Sequence, residues 1–336
     1  MSDVIYRLGT EEDFPAVSAL YVKLHTYFRE IGLRLPTPDD VGAAWLDSFR
    51  RTLGRYSSLH VAVLDGEVVS FILTRIKQVP PFWGGVTVGI LSDMWVRTKA
   101  RRLGVGRKLS HIGLKWLQDQ GVHSVEIQVL LKNNASWGLY EDFGFEPELR
   151  QSRLLWEDYS PNPQESPGAI NSPEVIYRLA SEEDFSAVSE MYSELDALMR
   201  RMGMRLPGPE NVGQAWVDSF SRTIGRYSFL HVVEVDNELV GFLLSRIKRV
   251  PPYWGGVIVG EITDLWLHPK VRRLHLAEQL ANEGIKNLRD QEVHSVEAHF
   301  LITNEPVWRL AESIGFNLET RTARLLWKNY NEEEDE

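Results

Sequence analysis

Hydrophobic and polar positions along residues 4–159 change period several times, and each change marks an element. Residues 4–8 read as a short strand. Phe14, Val17, Leu20, Tyr21 and Leu24 then recur at three- and four-residue steps, the spacing of one helix face. The acidic run Glu11, Glu12, Asp13 behind Thr10 suits a helix N-terminus. Pro36 and Pro38 end that pattern, and residues 40–53 carry a second amphipathic helix. Residues 59–64 and 68–76 flank Asp65-Gly66, a strong hairpin signal. A loop over 79–85, with two prolines and two glycines, leads into an apolar strand over 86–96. A further loop opens into a helix over 107–118. A buried strand follows over 125–131, then a short helix over 135–143 ended by Gly144, and a last strand over 149–156. The order β-α-α-β-β-β-α-β-α-β predicts an α/β fold, a mixed and mostly antiparallel sheet with helices on both faces.

The pattern then starts again. Val4 returns as Val175 in VIYRL, Arg75 as Arg246 in RIK, Arg101 as Arg272 in RRL, His123 as His294 in HSVE, and Arg153 as Arg324 in RLLW. Every pair is 171 residues apart, so 4–159 aligns with 175–330 without insertion or deletion. A unit of this length is no solenoid repeat; it is a duplicated domain able to bury its own core. Between the copies the chain is rich in Pro, Ser and Asn and has little to bury. The expected organisation is a domain over 1–159, a linker over 160–174, a second domain over 175–330 and an acidic tail over 331–336.

Composition narrows the function classes. The chain has 336 residues, a net charge of -10 and no cysteine. Without cysteine there is no disulfide framework, thiol nucleophile or thiolate metal site, and no other residue cluster has metal-ligand spacing. An acidic chain has no general attraction for nucleic acid and favours cationic partners such as amines. No apolar run approaches the ~18 residues of a membrane span, and the N-terminus has no secretory pattern. The expectation is a cytoplasmic chain with no metal, membrane or nucleic-acid partner.

The candidate chemistry centres on Arg101-Arg102-Leu103-Gly104-Val105-Gly106, between a strand and a helix. Glycines there let backbone N–H groups approach a ligand, and the helix adds the positive end of its dipole, which together make a pyrophosphate cradle. A dinucleotide-binding unit would carry its glycines after the first strand, and a Walker loop would need Gly-Lys-Ser/Thr. This loop follows the fourth predicted strand and lacks that ending.

These residues resemble motif A of the GNAT superfamily of N-acetyltransferases, Arg/Gln-x-x-Gly-x-Gly/Ala, matched by Arg101, Gly104 and Gly106. Downstream, Asn133, Ser136, Tyr140 and Gly144-Phe145 resemble the superfamily's Asn-x-x-Ala-x-x-x-Tyr…Gly-Phe pattern, and Asp93-Met94-Trp95-Val96 resembles its preceding strand. The resemblance covers nearly all of each copy. It implies acetyl-CoA as cosubstrate and direct acetyl transfer to a small-molecule primary amine. The N–H groups of Leu103, Gly104, Val105, Gly106 and Arg107, with Arg101 and Arg102 alongside, would bind the pyrophosphate. Main chain at Met94, Trp95 and Val96 would pair with the pantetheine arm, and Asn133 would hydrogen-bond it. Tyr140 would protonate the departing sulfur, a transfer only about 2 kcal/mol uphill between a phenol and an ordinary thiol. Asp93 and Glu126 are the candidate bases; some members keep an acid three positions before Asp93, where this chain has Ile90. Such domains often pair, which implies pairing of the two copies and leaves a homodimer open.

In the second copy Gly104 becomes His275, Gly106 becomes Ala277 and Tyr140 becomes Ala311. Asn304 and Asp264 match Asn133 and Asp93, while Ile90 becomes Glu261. The second copy therefore reads as the same fold with a degenerate cofactor loop. Two other functions stay open: a non-catalytic acyl-CoA sensor or scaffold, and a protein or peptide N-acetyltransferase. The turn Pro80-Pro81-Phe82-Trp83 recurs as Pro251-Pro252-Tyr253-Trp254, and its aromatics fit either a substrate cleft or the contact between copies, with the contact favoured.

Overall fold

The computed structural model describes residues 3–161, 174–272 and 275–331; most of the expected linker, and the tail beyond Asn331, lie outside the described residues. The first copy runs β1 (Ile5–Leu8), α1 (Phe14–Glu30), α2 (Val41–Arg50), β2 (Ser57–Leu64), β3 (Glu67–Gln78), β4 (Thr87–Val96), α3 (Val105–Asp119), β5 (Ser124–Leu130), α4 (Asn134–Asp142) and β6 (Glu146–Leu155). The second runs β7 (Val175–Leu179), α5 (Phe185–Arg201), α6 (Val212–Asp218), β8 (Ser228–Val235), β9 (Glu238–Arg249), β10 (Ile258–Leu267), α7 (Leu276–Asp290), β11 (Ser295–Leu301), α8 (Glu305–Ile314) and β12 (Asn317–Leu326). Both orders are the predicted one. Local chemistry explains the turns. Asp65 and Gly66 both take positive φ, 54° and 76°, as a two-residue hairpin turn requires. Thr10 and Asp13 form a capping box ahead of α1, and Arg7 grips Asp13 through both guanidinium ends.

The two copies share one sheet of twelve strands, ordered β1-β2-β3-β4-β5-β12-β6-β11-β10-β9-β8-β7. The copies exchange their last strands. β12 pairs with β5 of the first copy, β6 pairs with β11 of the second, and β6 and β12 pair with each other at the centre. All neighbours are antiparallel except β4–β5 and β10–β11. Helices α1 and α2 pack with β2 and β3 on one face, through Trp45, Phe49 and Phe71. Helix α3 and Tyr140 and Phe143 from the end of α4 pack on the other, and the second copy repeats both layers.

Charge locks the exchange. Arg153 of β6 is 1% exposed and reaches Glu297 of β11 at 3.1 Å and Glu319 of β12 at 2.7 Å. Arg324 of β12, 3% exposed, reaches Glu148 of β6 at 2.6 Å and Glu126 of β5 at 3.4 Å. Buried carboxylates need such partners to stay ionised. The aromatic turns cross over as well. Phe82 enters the second copy's core beside Tyr192, and Tyr253 lies edge-on to Tyr21 of the first, with ring centroids 6.2 Å apart in both cases. The copies therefore pair internally, and the contact role favoured for these aromatics is the one seen. Arg324→Ala leaves the buried Glu148 without that partner; it should lower unfolding free energy by about 3–5 kcal/mol, read by urea denaturation.

Candidate active site

The parallel pairing of β4 with β5 is short. It covers Gly89 with Val125 and Ile90 with Glu126, and then the two strands part. Beyond it β4 stays paired only to β3, with a register shift opposite Leu91 and Asp93 that leaves Ser92 bulged. The side of β4 facing the gap from Met94 to Val96 thus offers main-chain groups to an extended ligand, the geometry of strand addition. A groove of about 610 Å³ runs along this gap, lined by Met94, Trp95, Val96, Arg101, Gly106 and Asn133 together with Lys23 and Tyr27 of α1.

The loop closes one end. Gly104, at φ 73°, is the N-cap of α3, so the N–H groups of Val105, Gly106 and Arg107 form the first turn without partners inside the helix. Val105 is buried in the core and anchors that turn. Arg102 and Leu103 are exposed on the loop. Arg101 stacks its guanidinium over Trp95 at 5.0 Å and donates to the Val96 carbonyl. Arg107 pairs with Asp142 of α4. A Cβ on Gly106 would point at Met94, Val96 and Leu139, all within 3.6–3.8 Å, so this glycine keeps the groove open.

A second cavity, of about 580 Å³, lies between the copies on the α1–α2 face. Its walls include Asp93, Met94, Asn133 and Tyr140 of the first copy and Tyr253, Glu261, His299, Thr320 and Arg324 of the second. Groove and cavity meet at Leu24, Met94, Asn133 and Ser136. Tyr140, one turn beyond Ser136, is buried, and its phenol is pushed up to about 12 by burial, with the Ser110 hydroxyl opposing by hydrogen bonding and Asp93 adding to the rise. Asp93 accepts from Trp45 Nε1 at 3.1 Å and Ser92 Oγ at 2.6 Å; burial pushes its carboxyl above the usual range despite those bonds and nearby Arg75. Glu126 lines the cavity but is held by Lys77 and Arg324, so its charge is committed to the strand exchange. Asn133 caps α4, accepting from Ser136 N at 3.3 Å, which leaves its amide NH₂ as the part able to reach a ligand.

Trp45 and Ser110 belong to this site but carry no signal of it in the sequence motifs, while Tyr253, one of the turn aromatics given a cleft or contact role, lines the cavity. Trp45 recurs as Trp216, which donates to Asp264 at 3.0 Å, and that recurrence was the available signal. Nothing local in the sequence ties Tyr253 to the first copy. Sequence spacing also hid a grouping of Glu261, Glu297 and His299, whose ligand atoms lie within 4.8 Å of one another. Lys248 bridges the two carboxylates there. Against the burial that raises it, Glu261 is held down to about 2 by His299 and Lys248.

The second copy keeps the backbone conformation at the helix N-cap with a different side chain. His275 occupies the N-cap of α7 at φ 59°, the left-handed conformation of Gly104. In the first turn Glu278 stands where Arg107 stands in α3, an acid where an anion would bind. The matching cleft holds about 100 Å³ and is mostly apolar, lined by Leu265, Phe300, Leu310 and Ala311 among others.

The chain belongs to the acetyltransferase (GNAT) family, whose pattern matches residues 19–145 and again 191–316. A GCN5-related N-acetyltransferase from Sphaerobacter thermophilus superposes with a TM-score of 0.59 at 18% identity, covering 96% of this chain and 95% of its own. A tandem GNAT protein from the clavulanic acid biosynthesis pathway gives 0.54 at 15% identity, over 96% and 98%. The mycothiol acetyltransferase of Paenarthrobacter aurescens is 38% identical over 81 residues, 24% of each chain, so this chain spans about a quarter of that relative. No helix among the described residues is long and apolar enough to cross a membrane.

Gly106→Leu should fill the groove and weaken acetyl-CoA binding by about tenfold or more, the equivalent of 1–3 kcal/mol of overpacking, whereas Gly106→Ala, the residue at 277, should bind nearly as wild type in a calorimetric titration.

Proposed function

We propose that the first copy transfers an acetyl group from acetyl-CoA to the primary amine of a small molecule held between the copies. The observation that carries this reading is the junction of groove and cavity at Met94, Asn133 and Ser136, beside Tyr140. Acetyl-CoA supplies an activated thioester carbonyl. The N–H groups of Val105, Gly106 and Arg107 hold its pyrophosphate, and the main chain of Met94, Trp95 and Val96 holds its pantetheine amides. Arg101, Arg102, Leu103 and Gly104 shape that loop, and Asn133 steadies the arm.

The acceptor arrives as an ammonium ion. Freeing its nitrogen at pH 7 costs roughly 4–5 kcal/mol, so a group must take the proton. Asp93, with its carboxyl raised by burial, is the better base; Glu126 is occupied by two cations. The nitrogen then bonds to the carbonyl carbon, the carbon–sulfur bond breaks, Tyr140 gives its proton to the sulfur, and the second proton, shed by the acylated nitrogen, restores the Tyr140 phenol. A phenol held near 12 stays protonated through the physiological range, so it is always charged with the proton it must give. A cavity walled by two copies supports a small acceptor over a folded protein's surface.

Calorimetry with acetyl-CoA should give one site per chain. Tyr140→Phe should retain that binding and lose about 10²-fold in kcat, with no alkaline limb below pH 11 in the wild type assignable to this phenol. Two sites would mean that the second cleft opens. Binding without turnover of any amine would favour the sensor reading, and acetylated proteins found by mass spectrometry would favour the protein acceptor.

A further inference from the structure

The two crossing turns make the same chain of aromatic contacts, but one of them carries an extra hydroxyl. Tyr253 meets Tyr21 edge-on at 6.2 Å; Tyr21 stacks on Trp45 at 4.4 Å; Trp45 donates to Asp93. Across the molecule Phe82 meets Tyr192 at 6.2 Å, Tyr192 stacks on Trp216 at 4.4 Å, and Trp216 donates to Asp264. Only the turn that enters the first copy carries a hydroxyl. Tyr253 is half-buried and lines the central cavity with Asp93 and Arg75, whereas Phe82 is buried in the opposite core and does not line it. The tyrosine thus lines the cavity that Tyr140 also lines, on the side of the copy with the open groove.

The turn is rigid. Pro251 and Pro252 restrict it, and Gly255, at φ 100°, backs so closely on the first copy that a Cβ would fall 2.7 Å from the Pro36 carbonyl oxygen. Arg75 lies 5.9 Å from the centre of the Tyr253 ring. Burial and the Asp93 charge push the Tyr253 phenol up, with Arg75 and the Ser48 hydroxyl opposing, so it stays a neutral hydroxyl. Such a group accepts a hydrogen bond from an amine N–H and donates to a carboxylate.

We propose that Tyr253, supplied by the second copy, is a positioning residue of the first copy's acceptor site, its hydroxyl orienting the incoming amine beside Asp93. This rests on the transfer reading above. It gives the second copy a task in catalysis that needs no cofactor of its own.

The test uses the full chain, acetyl-CoA, and a panel of an aminosugar, a polyamine and an arylalkylamine. Tyr253→Phe keeps the ring and removes the oxygen. It should raise KM for the amine about tenfold, the scale of one lost hydrogen bond, with KM for acetyl-CoA and thermal midpoint unchanged. Phe82→Tyr, in the mirror position, should change neither constant. An unchanged amine KM in Tyr253→Phe, or an equal rise in both constants, overturns the assignment. Wild-type chain that binds acetyl-CoA but acetylates no amine overturns the transfer reading itself, and this assignment with it.

Discussion

Everything in this molecule depends on two arginines buried across a strand exchange. Glu148, Glu297 and Glu319 are each at most 5% exposed, and each finds its cation on a neighbouring strand at the centre of the sheet. A carboxylate so far from water cannot keep its charge without such a partner. Arg153 and Arg324 therefore make β6 and β12 inseparable from the copies that receive them. The cavity between the copies follows from this. Its floor is the exchanged strands, and its walls are whatever each copy turns toward the other.

Within that shared frame the copies differ at many positions, and a few of those lie in the groove and cavity. Arg107 faces Glu278 in the comparison, Tyr140 faces Ala311, and Ile90 faces Glu261. The stacked Tyr21–Trp45 and Tyr192–Trp216 pairs, by contrast, superpose in spacing and in the carboxylate they serve. Packing has been kept on both sides, while the side chains lining the clefts have not. A shared fold says little about shared activity when the loop, the acid and the groove have all changed.

Much of this was legible from the chain alone. Periodicity and turn residues located the elements because each helix and strand is amphipathic or fully apolar over its own length; Asp65-Gly66 and Gly144 mark their turns through backbone conformation, a local property. The 171-residue repeat exposed the duplication, and the glycines of the α3 loop marked the turn that closes one end of the groove. The strand exchange was not legible, because β6 and β12 have the same sequence character whichever copy they complete. The turn carrying Tyr253 stood out by its recurrence, but its partner Tyr21 lies far away in sequence, and no local pattern says which residue the ring meets. The histidine at 275 does not bar the turn that a glycine makes in the first copy. Its backbone adopts the glycine's conformation, and the reversed charge at Glu278 adds a separate obstacle to an anion.

The exchange also changes what evolution can do. Two identical chains joined in this way would form a dimer in which every substitution appears twice, and a hydroxyl added to one crossing turn would be added to the other. Fusion into a single chain lifts that obligation while keeping the partner permanently at hand, at no dependence on protein concentration. One half is then free to discard its own chemistry and become a fitting for its twin, provided it still returns a strand. Tyr253 and Phe82 are such a pair: one ancestral position, now answering to two different neighbours.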